Sequence, residues 1–138
     1  MTTTARHKLL VAVRPQDRDL VLSCLGDEFE LILAYSFGEA VQQLEQDVGM
    51  VICGVHFDEG RMFDLLQIAK ADSGKSPIPF VPVLSGSSNH AEGIRRGIRS
   101  AALSLGADDF IDLPELAATQ SIDQICAMLR GRIRNALR

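Results

Sequence analysis

Few side chains in this chain have the types and spacing that catalysis requires. Asp58 and Glu59 closely follow the apolar segment 49–55, and His56 precedes them. Carboxylates and an imidazole could hold a cation or move a proton. We instead expect the carboxylates to lie in a solvated loop or to cap the following helix, and His56 to be an ordinary loop residue. The sequence contains no recognisable Ser/His/Asp or Cys/His arrangement, so we predict that the chain is not an enzyme.

The stretch DSGKS at 72–76 ends like a phosphate-binding loop. Such a loop also needs a glycine five residues before Gly74, and Ala69 occupies that position. The stretch follows a predicted helix and precedes a predicted strand, which is the reverse of the required order. We therefore predict no phosphate loop here and no cofactor for the chain.

The three cysteines, Cys24, Cys53 and Cys126, lie far apart and are odd in number. They form no C-x-x-C pair and have no histidine at a ligand spacing, so neither a zinc site nor a disulfide framework is expected. We predict three buried thiols in a reducing compartment. Cys53 has no basic neighbour in its apolar segment, so we expect no activated thiolate there.

Composition excludes several classes of protein. The 138 residues are 46% hydrophobic, which is enough for a packed core, and their formal net charge is −4. This charge and the presence of one Tyr and no Trp argue against a general nucleic-acid binder. No apolar run approaches the roughly 18 residues of a membrane helix, and the first residues lack a signal-peptide core. We expect a cytoplasmic protein that contacts no membrane.

Short apolar runs alternate with helical patterns along the chain. Pro15 suits the first turn of a helix, and two pairs, Ser36 with Glu39 and Ser121 with Gln124, have the spacing of capping boxes. The predicted strands cover 8–13, 30–35, 49–55, 79–84 and 107–111. The predicted helices cover about 15–26, 36–44, 61–71, 94–105 and 121–138.

Five strand–helix units favour an α/β fold with a doubly wound parallel sheet of five strands. The length fits a single domain over 1–138, in which we expect residues 1–6 to be a disordered tail. Function in such sheets lies at the carboxyl ends of the strands. Pro82 lies inside the fourth predicted strand, so we expect a bulge or local distortion there.

The fourth predicted helix contains one apolar residue outside its inward stripe. At about 100° per residue, Ile94, Ile98, Ala101 and Leu105 share one face. Leu103 falls on the opposite side, among charged residues. We therefore expect Leu103 to be exposed, either as an isolated surface residue or as the anchor of an interface.

The strand ends resemble the receiver domains of response regulators. The segment GADDFIDLP at 106–114 is similar to their fifth-strand signature GADDYLxKP, and 11–15 matches their first loop in register. The resemblance covers roughly 7–138 and implies a flavodoxin-like, three-layer fold with strand order 2-1-3-4-5. For a working receiver it also implies Mg²⁺ on acidic residues after strand 1 and an Asp after strand 3 that accepts a phosphoryl group. A Thr or Ser after strand 4 and a Lys after strand 5 complete that site.

At nearly all of these positions the chain departs from the family pattern. Ala12 and Val13 replace the acidic pair, Gly54 replaces the acceptor Asp, and Leu113 replaces the Lys. Only Ser85 keeps the expected hydroxyl. These side chains offer neither cation ligands nor an acceptor, so we predict no metal site and no phosphorylation.

Two functions from different classes remain open. The leading hypothesis is a degenerate, non-catalytic receiver-like module of two-component signalling that acts through protein–protein interaction. The alternative is a small-molecule or nucleotide sensor that uses the vacated pocket at the strand ends. Arg14 could attract an anion to that pocket, but one arginine does not rebuild a phosphorylation site.

The predicted partner surface lies in the second half of the chain. Seven of the eleven arginines lie between 95 and 138, and arginine is favoured at interfaces. The resemblance implies partner binding, or a two-fold homodimer, through the fourth helix, the fifth strand and the fifth helix. In a homodimer, Asp108, Asp109 and Asp112 would face the arginines of the other copy. The surface comprises Arg95, Arg96, Arg99, Leu103 and the switch-like aromatic Phe110.

Overall fold

The computed structural model describes residues 7–71, 78–85 and 91–137. The tail expected at 1–6 and the stretch 72–76 lie outside these described residues. The strands are β1 (Lys8–Ala12), β2 (Glu30–Ala34), β3 (Met50–Gly54), β4 (Phe80–Leu84) and β5 (Ile111–Asp112). The helices are α1 (Arg18–Leu25), α2 (Phe37–Leu44), α3 (Met62–Lys70), α4 (Glu92–Ser104), α5 (Leu113–Ala117) and α6 (Ile122–Ala136). Within these ranges no helix combines the length and the apolar character that crossing a membrane demands.

The five strands form one parallel sheet in the order β2-β1-β3-β4-β5, which confirms the predicted fold class and strand order. Residues 9–12 of β1 and all of β3 are buried, because helices cover both faces of the sheet. Leu10 and Val51 belong to the core beneath α2 and α3, whereas Leu9 and Ile52 belong to the core beneath α1 and α6. Because the strands are parallel, the carboxyl ends of the central strands lie at one edge of the sheet.

Local capping determines where the helices begin. Ser36 and Ser121 each accept a hydrogen bond from the backbone N–H three residues later, and Glu39 and Gln124 complete both capping boxes. Pro15 opens a short 3-10 turn that leads directly into α1. These three predictions are confirmed.

The fifth strand is shorter than predicted and lies later in the chain. It contains only Ile111 and Asp112. The side chain of Asp108 accepts the Phe80 N–H at 2.8 Å, and that of Asp109 accepts the Phe110 N–H at 2.8 Å. Aspartate is disfavoured in strands because its carboxylate competes for backbone donors in this way. A short helix, α5, follows directly, with Pro114 in its first turn.

The bulge expected at Pro82 is absent. β3 and β4 remain in continuous register across it, with Cys53 opposite Pro82. Two residues earlier, the Phe80 N–H donates to the Asp108 carboxylate and the Phe80 carbonyl accepts from the Asp108 N–H, so both backbone groups of Phe80 face the β5 side. By the alternation of a strand, Pro82 faces that same side. The paired residues of β4 there are only Val83 and Leu84, so the missing N–H interrupts no ladder bond in the observed register.

The face that α4 turns inward differs from the predicted stripe. Ala102 is buried and Ile98 is partly buried, but Ile94 is 54% exposed and Leu105 is 41% exposed. Arg95 shares the inward face because it pairs with Asp112. A charged residue on the packed face breaks the hydrophobic periodicity, so the apolar pattern gives the wrong rotation for this helix.

The prediction for the cysteines is wrong for two of the three residues. Cys24 on α1 and Cys126 on α6 form a disulfide across a separation of 102 residues. Cys53 is a free and buried thiol, as predicted. No spacing rule reveals the pair, because packing of α1 against α6 brings the two residues together. The disulfide also removes the cysteine-based argument for a reducing compartment.

Candidate functional site

A pocket of about 250 Å³ lies at the carboxyl ends of the central strands. It brings together four of the five positions that were compared with the receiver pattern. Val13, Gly54 and Leu113 depart from that pattern, and Ser85 matches it. The fifth, Ala12, is buried one residue earlier, inside the sheet. The remaining lining residues are Gln16, Asp17, Leu20, Val21 and Val83.

The segment after β1 builds one wall of this pocket. The 3-10 turn that begins at Pro15 carries Gln16 and Asp17 to the strand ends. The first turn of α1 then adds Leu20 and Val21. The strand-end positions predicted from the sequence did not include these four residues. The spacing of Arg14 and Asp17, three residues apart with opposite charges, was the available signal.

Arg14 links two elements of the pocket. Its Nε donates to Asp17 Oδ2 at 3.0 Å, and its Nη2 donates to Ser85 Oγ at 3.0 Å. The guanidinium therefore joins the loop after β1 to the end of β4. Its charge is compensated by a carboxylate within the chain, so the expected attraction of an anion is weakened.

Gly54 forms the end of β3 at this pocket. A Cβ placed on it would lie 3.7 Å from Val13 Cγ1 and 3.9 Å from the Ala12 carbonyl oxygen, which are ordinary van der Waals distances. Packing therefore does not require a glycine here. The glycine leaves open the space that a side chain would occupy, and it provides no group that could be phosphorylated.

The Asp58 carboxylate binds the backbone, and neither Asp58 nor Glu59 lines the pocket. Asp58 Oδ2 accepts the Phe37 N–H at 2.7 Å, at the start of α2. Asp58 and Glu59 both have left-handed backbone angles, with φ of 43° and 57°. The capping interpretation holds for Asp58, but the helix it serves precedes the loop instead of following it. His56 is partly buried in the same loop.

The strand ends do not suit the Mg²⁺ that the receiver resemblance implies. Ala12, Val13 and Gly54 offer no side-chain oxygen, and Asp17 is paired with Arg14. Magnesium is held by oxygen ligands in near-octahedral geometry. Over the described ranges, no cluster of three or more His, Cys, Asp or Glu side chains could hold a metal ion.

Cys53 precedes Gly54 at the pocket, but its thiol is not activated as a nucleophile. Its side chain is buried and its thiol contacts the Gly54 carbonyl oxygen at 3.5 Å. Burial raises the pKa of the Cys53 thiol well above its ordinary value, because the thiolate would lose its hydration.

The GADDF segment ties three elements together. Asp108 accepts a hydrogen bond from Lys70 on α3 at 2.7 Å. Asp109 accepts two hydrogen bonds from Arg132 on α6, the Nε bond measuring 2.7 Å. Arg132 also donates to the Phe110 carbonyl oxygen at 3.0 Å. Phe110 itself is buried in the core, so the switch-like aromatic faces inward in this structure.

The charge of Asp109 is stabilised despite its partial burial. Burial acts to raise the pKa of Asp109, but hydrogen bonds from Arg132 and the Phe110 N–H, with the charges of Arg132 and Arg99, outweigh it. The pKa of Asp109 is therefore lowered. The hydrogen bond with Asp109 likewise raises the pKa of Arg132, against the opposing effect of burial.

The structure separates the residues of the predicted partner surface into two groups. Arg96, Arg99 and Leu103 are exposed, and Leu103 is 41% exposed as the helical geometry predicted. The Arg95 side chain is only 20% exposed, and its Nη1 lies 3.3 Å from Asp112 Oδ1.

The acids expected to face a second copy are also engaged within the chain. Asp108 pairs with Lys70, Asp109 with Arg132, and Asp112 with Arg95. Charge complementarity between two copies through these acids therefore has little support.

Comparison with solved structures shows the fold. A candidate response regulator from Chloroflexus aurantiacus superposes with a TM-score of 0.71 at 20% identity, over 96% of this chain and 98% of that one. Full-length FixJ from B. japonicum gives a TM-score of 0.67 at 24% identity, over 97% of this chain and 60% of that one. A response regulator from Thermotoga maritima gives 0.66 at 16% identity, over 94% and 98%.

Neither family models nor curated protein sequences match this chain. The likeness is therefore one of structure: the chain has the flavodoxin-like fold of response-regulator receiver domains.

Proposed function

We propose that this chain is a non-catalytic, receiver-like signalling module that acts through protein–protein interaction and not through phosphorylation of an aspartate. The observation that carries the proposal is Gly54 at the end of β3, where the pocket opens. A phosphoryl group needs an acceptor oxygen and positive charge around it. Gly54 supplies no acceptor, and Leu113 lies in the pocket where the resemblance implies a lysine.

The arrangement around Gly54 supports the proposal further. The cation ligands implied by the family are replaced by Ala12 and Val13. The nearest charged pair, Arg14 and Asp17, is neutralised by its own ion pair. On this basis the module would respond to the presence of its partner, and the exposed residues Arg96, Arg99 and Leu103 on α4 would form the contact surface.

Phosphorylation chemistry gives a direct test. The chain is incubated with acetyl phosphate and Mg²⁺, and its intact mass is measured at neutral pH, where acyl phosphates survive. A response regulator with an intact acceptor, treated in parallel, is the positive control. The expected result is an unchanged mass for this chain. A stoichiometric phosphoryl adduct would contradict the proposal.

A second candidate function is a small-molecule sensor, and the pocket of about 250 Å³ favours it. Ligand sites are usually concave, mostly apolar and equipped with a few polar groups, and this pocket has those properties. The nucleotide version has less support. Asp17 lies on the wall and Arg14 is paired with it, so among the described residues that line or border the pocket phosphates would meet no uncompensated positive charge.

A further inference from the structure

The lining of the strand-end pocket is apolar except on one side. Five aliphatic side chains from four parts of the fold form most of its wall, with Gly54 among them: Val13, Leu20, Val21, Val83 and Leu113. The polar side contains Gln16, Asp17 and Ser85, and the Arg14 guanidinium hydrogen-bonds to the last two. Burying an apolar molecule against the aliphatic wall would release water from both surfaces, which is the main favourable contribution to binding in such a pocket.

The polar side carries no net charge. The positive Arg14 and the negative Asp17 form an ion pair with their side chains mostly buried. An anionic ligand would approach the Asp17 carboxylate on the pocket wall, and a cationic ligand would have to compete with Arg14 for it. A neutral hydroxyl or amide avoids both penalties, because it can donate a hydrogen bond to the Asp17 carboxylate.

The pocket volume indicates how large a molecule it can enclose. An apolar protein cavity of about 150 Å³ holds a benzene molecule, so about 250 Å³ accommodates roughly ten non-hydrogen atoms. A nucleotide has more than twice that number. The space extends over Gly54, which has ordinary contact distances on its strand side and no side chain of its own.

We propose that this pocket binds a compact, neutral and mostly apolar molecule of roughly ten non-hydrogen atoms, with one hydroxyl or amide group directed at Asp17. This inference rests on the second candidate function, that of a small-molecule sensor. It is independent of whether the chain can be phosphorylated.

The test is a titration of the ¹⁵N-labelled full chain, followed by ¹H–¹⁵N NMR. The neutral probes are indole and benzyl alcohol. Their charged counterparts are benzoate and benzylammonium, and AMP represents nucleotides. We expect both neutral probes to bind with a Kd of about 0.1–1 mM, as ligand efficiency allows for molecules of this size. The shifted amides should include those of Val13, Gly54 and Ser85. The charged probes and AMP should bind at least about tenfold more weakly.

Matched glycine substitutions locate the site. Gly54→Leu fills the pocket and should weaken binding of indole by more than about tenfold. Gly97→Leu is the control, since a Cβ on this glycine of α4 meets nothing within 4 Å, and it should leave the Kd unchanged. If Gly54→Leu does not fold, Gly54→Ala serves instead. Its Cβ fits at ordinary contact distance, and it should weaken binding about threefold.

The outcomes separate the ligand class from the sensor function. Tighter binding of a charged probe or of AMP, abolished by Gly54→Leu, would overturn the proposed ligand class and leave a sensor in place. No binding by any probe, or binding that Gly54→Leu and Gly54→Ala both leave intact, would overturn the pocket as a ligand site and the sensor function with it.

Discussion

Arg14 and Ser85 are 71 residues apart in sequence, yet the guanidinium Nη2 donates to the serine Oγ at 3.0 Å. The same guanidinium binds Asp17, so one side chain connects the loop after β1 with the end of β4. In the receiver pattern, the ends of β1 and β4 serve phosphoryl transfer, with Mg²⁺ bound at the former. Here a hydrogen bond from Arg14 to Ser85 joins them, the Arg14 charge is paired with Asp17 after β1, and a mostly apolar pocket lies beside them.

Restoring a carboxylate at the end of β3 is expected to destabilise the chain without restoring phosphorylation. In Gly54→Asp the new side chain would lie beside Val13 and share the pocket with Asp17. Partial loss of hydration should lower the free energy of unfolding by about 1–3 kcal/mol. Gly54→Asn, whose side chain has the same shape and no charge, is the control, and it should lose less stability than Gly54→Asp. Urea denaturation at pH 7 measures both. A variant as stable as the parent that accepts phosphate from acetyl phosphate would contradict this expectation.

Removing the charge of Asp109 should lower stability in a pH-dependent way. Asp109→Asn breaks the paired hydrogen bonds to Arg132, and the loss at pH 7 should be about 1–3 kcal/mol. Because the pKa of Asp109 is lowered in the folded state, its stabilising effect is present above the unfolded pKa of about 4 and disappears as the pH falls through the folded pKa. The parent and the variant should therefore converge in stability towards pH 3.

The control for this effect is Asp47→Asn, on the exposed turn before β3. Its free energy of unfolding should differ little from that of the parent at pH 7 or at pH 3. A difference between parent and Asp109→Asn that is equally large at pH 7 and pH 3 would show that the carboxylate charge is not the source of the stabilisation.

The disulfide between Cys24 and Cys126 predicts a thiol count of one. Under denaturing, non-reducing conditions only Cys53 should react with iodoacetamide, and after reduction all three cysteines should react. Intact mass measures both states. Reducing the bond frees a long loop in the unfolded chain, so the free energy of unfolding should fall by about 2–4 kcal/mol. The pair Cys24→Ser and Cys126→Ser should reproduce that loss. Three reactive thiols before reduction would rule the disulfide out.

A charge at Leu103 should weaken association with a protein partner and leave the fold intact. Leu103 is 41% exposed on α4 among arginines, so Leu103→Glu removes apolar contact area and should weaken binding by about 1–3 kcal/mol. Ile68→Glu is the matched control, because Ile68 is 42% exposed on α3, outside the proposed surface. Analytical ultracentrifugation and denaturation separate association from stability. Equal loss of partner binding in both variants would reject the surface assignment.

Local features of the sequence predicted most of the framework. Strands β1 and β3 are recognisable as short apolar runs, and the capping boxes at Ser36 and Ser121 mark where α2 and α6 begin. Each of these signals depends on residues within a few positions of one another, where backbone hydrogen bonding and side-chain periodicity operate. The residues that meet at the pocket from β1, β3 and β4 were predictable for the same reason, since strand ends in a parallel sheet share one edge.

Tertiary structure decided the rest. The rotation of α4 depends on the ion pair between Arg95 and Asp112, and the shortening of β5 depends on where the Asp108 and Asp109 carboxylates find partners. The disulfide between α1 and α6 joins residues 102 positions apart. No local pattern encodes such contacts, because each forms only when packing has already brought distant segments together. The sequence by itself determined the strand–helix framework and the residue types at the strand ends, whereas long-range packing determined which charges and thiols would meet.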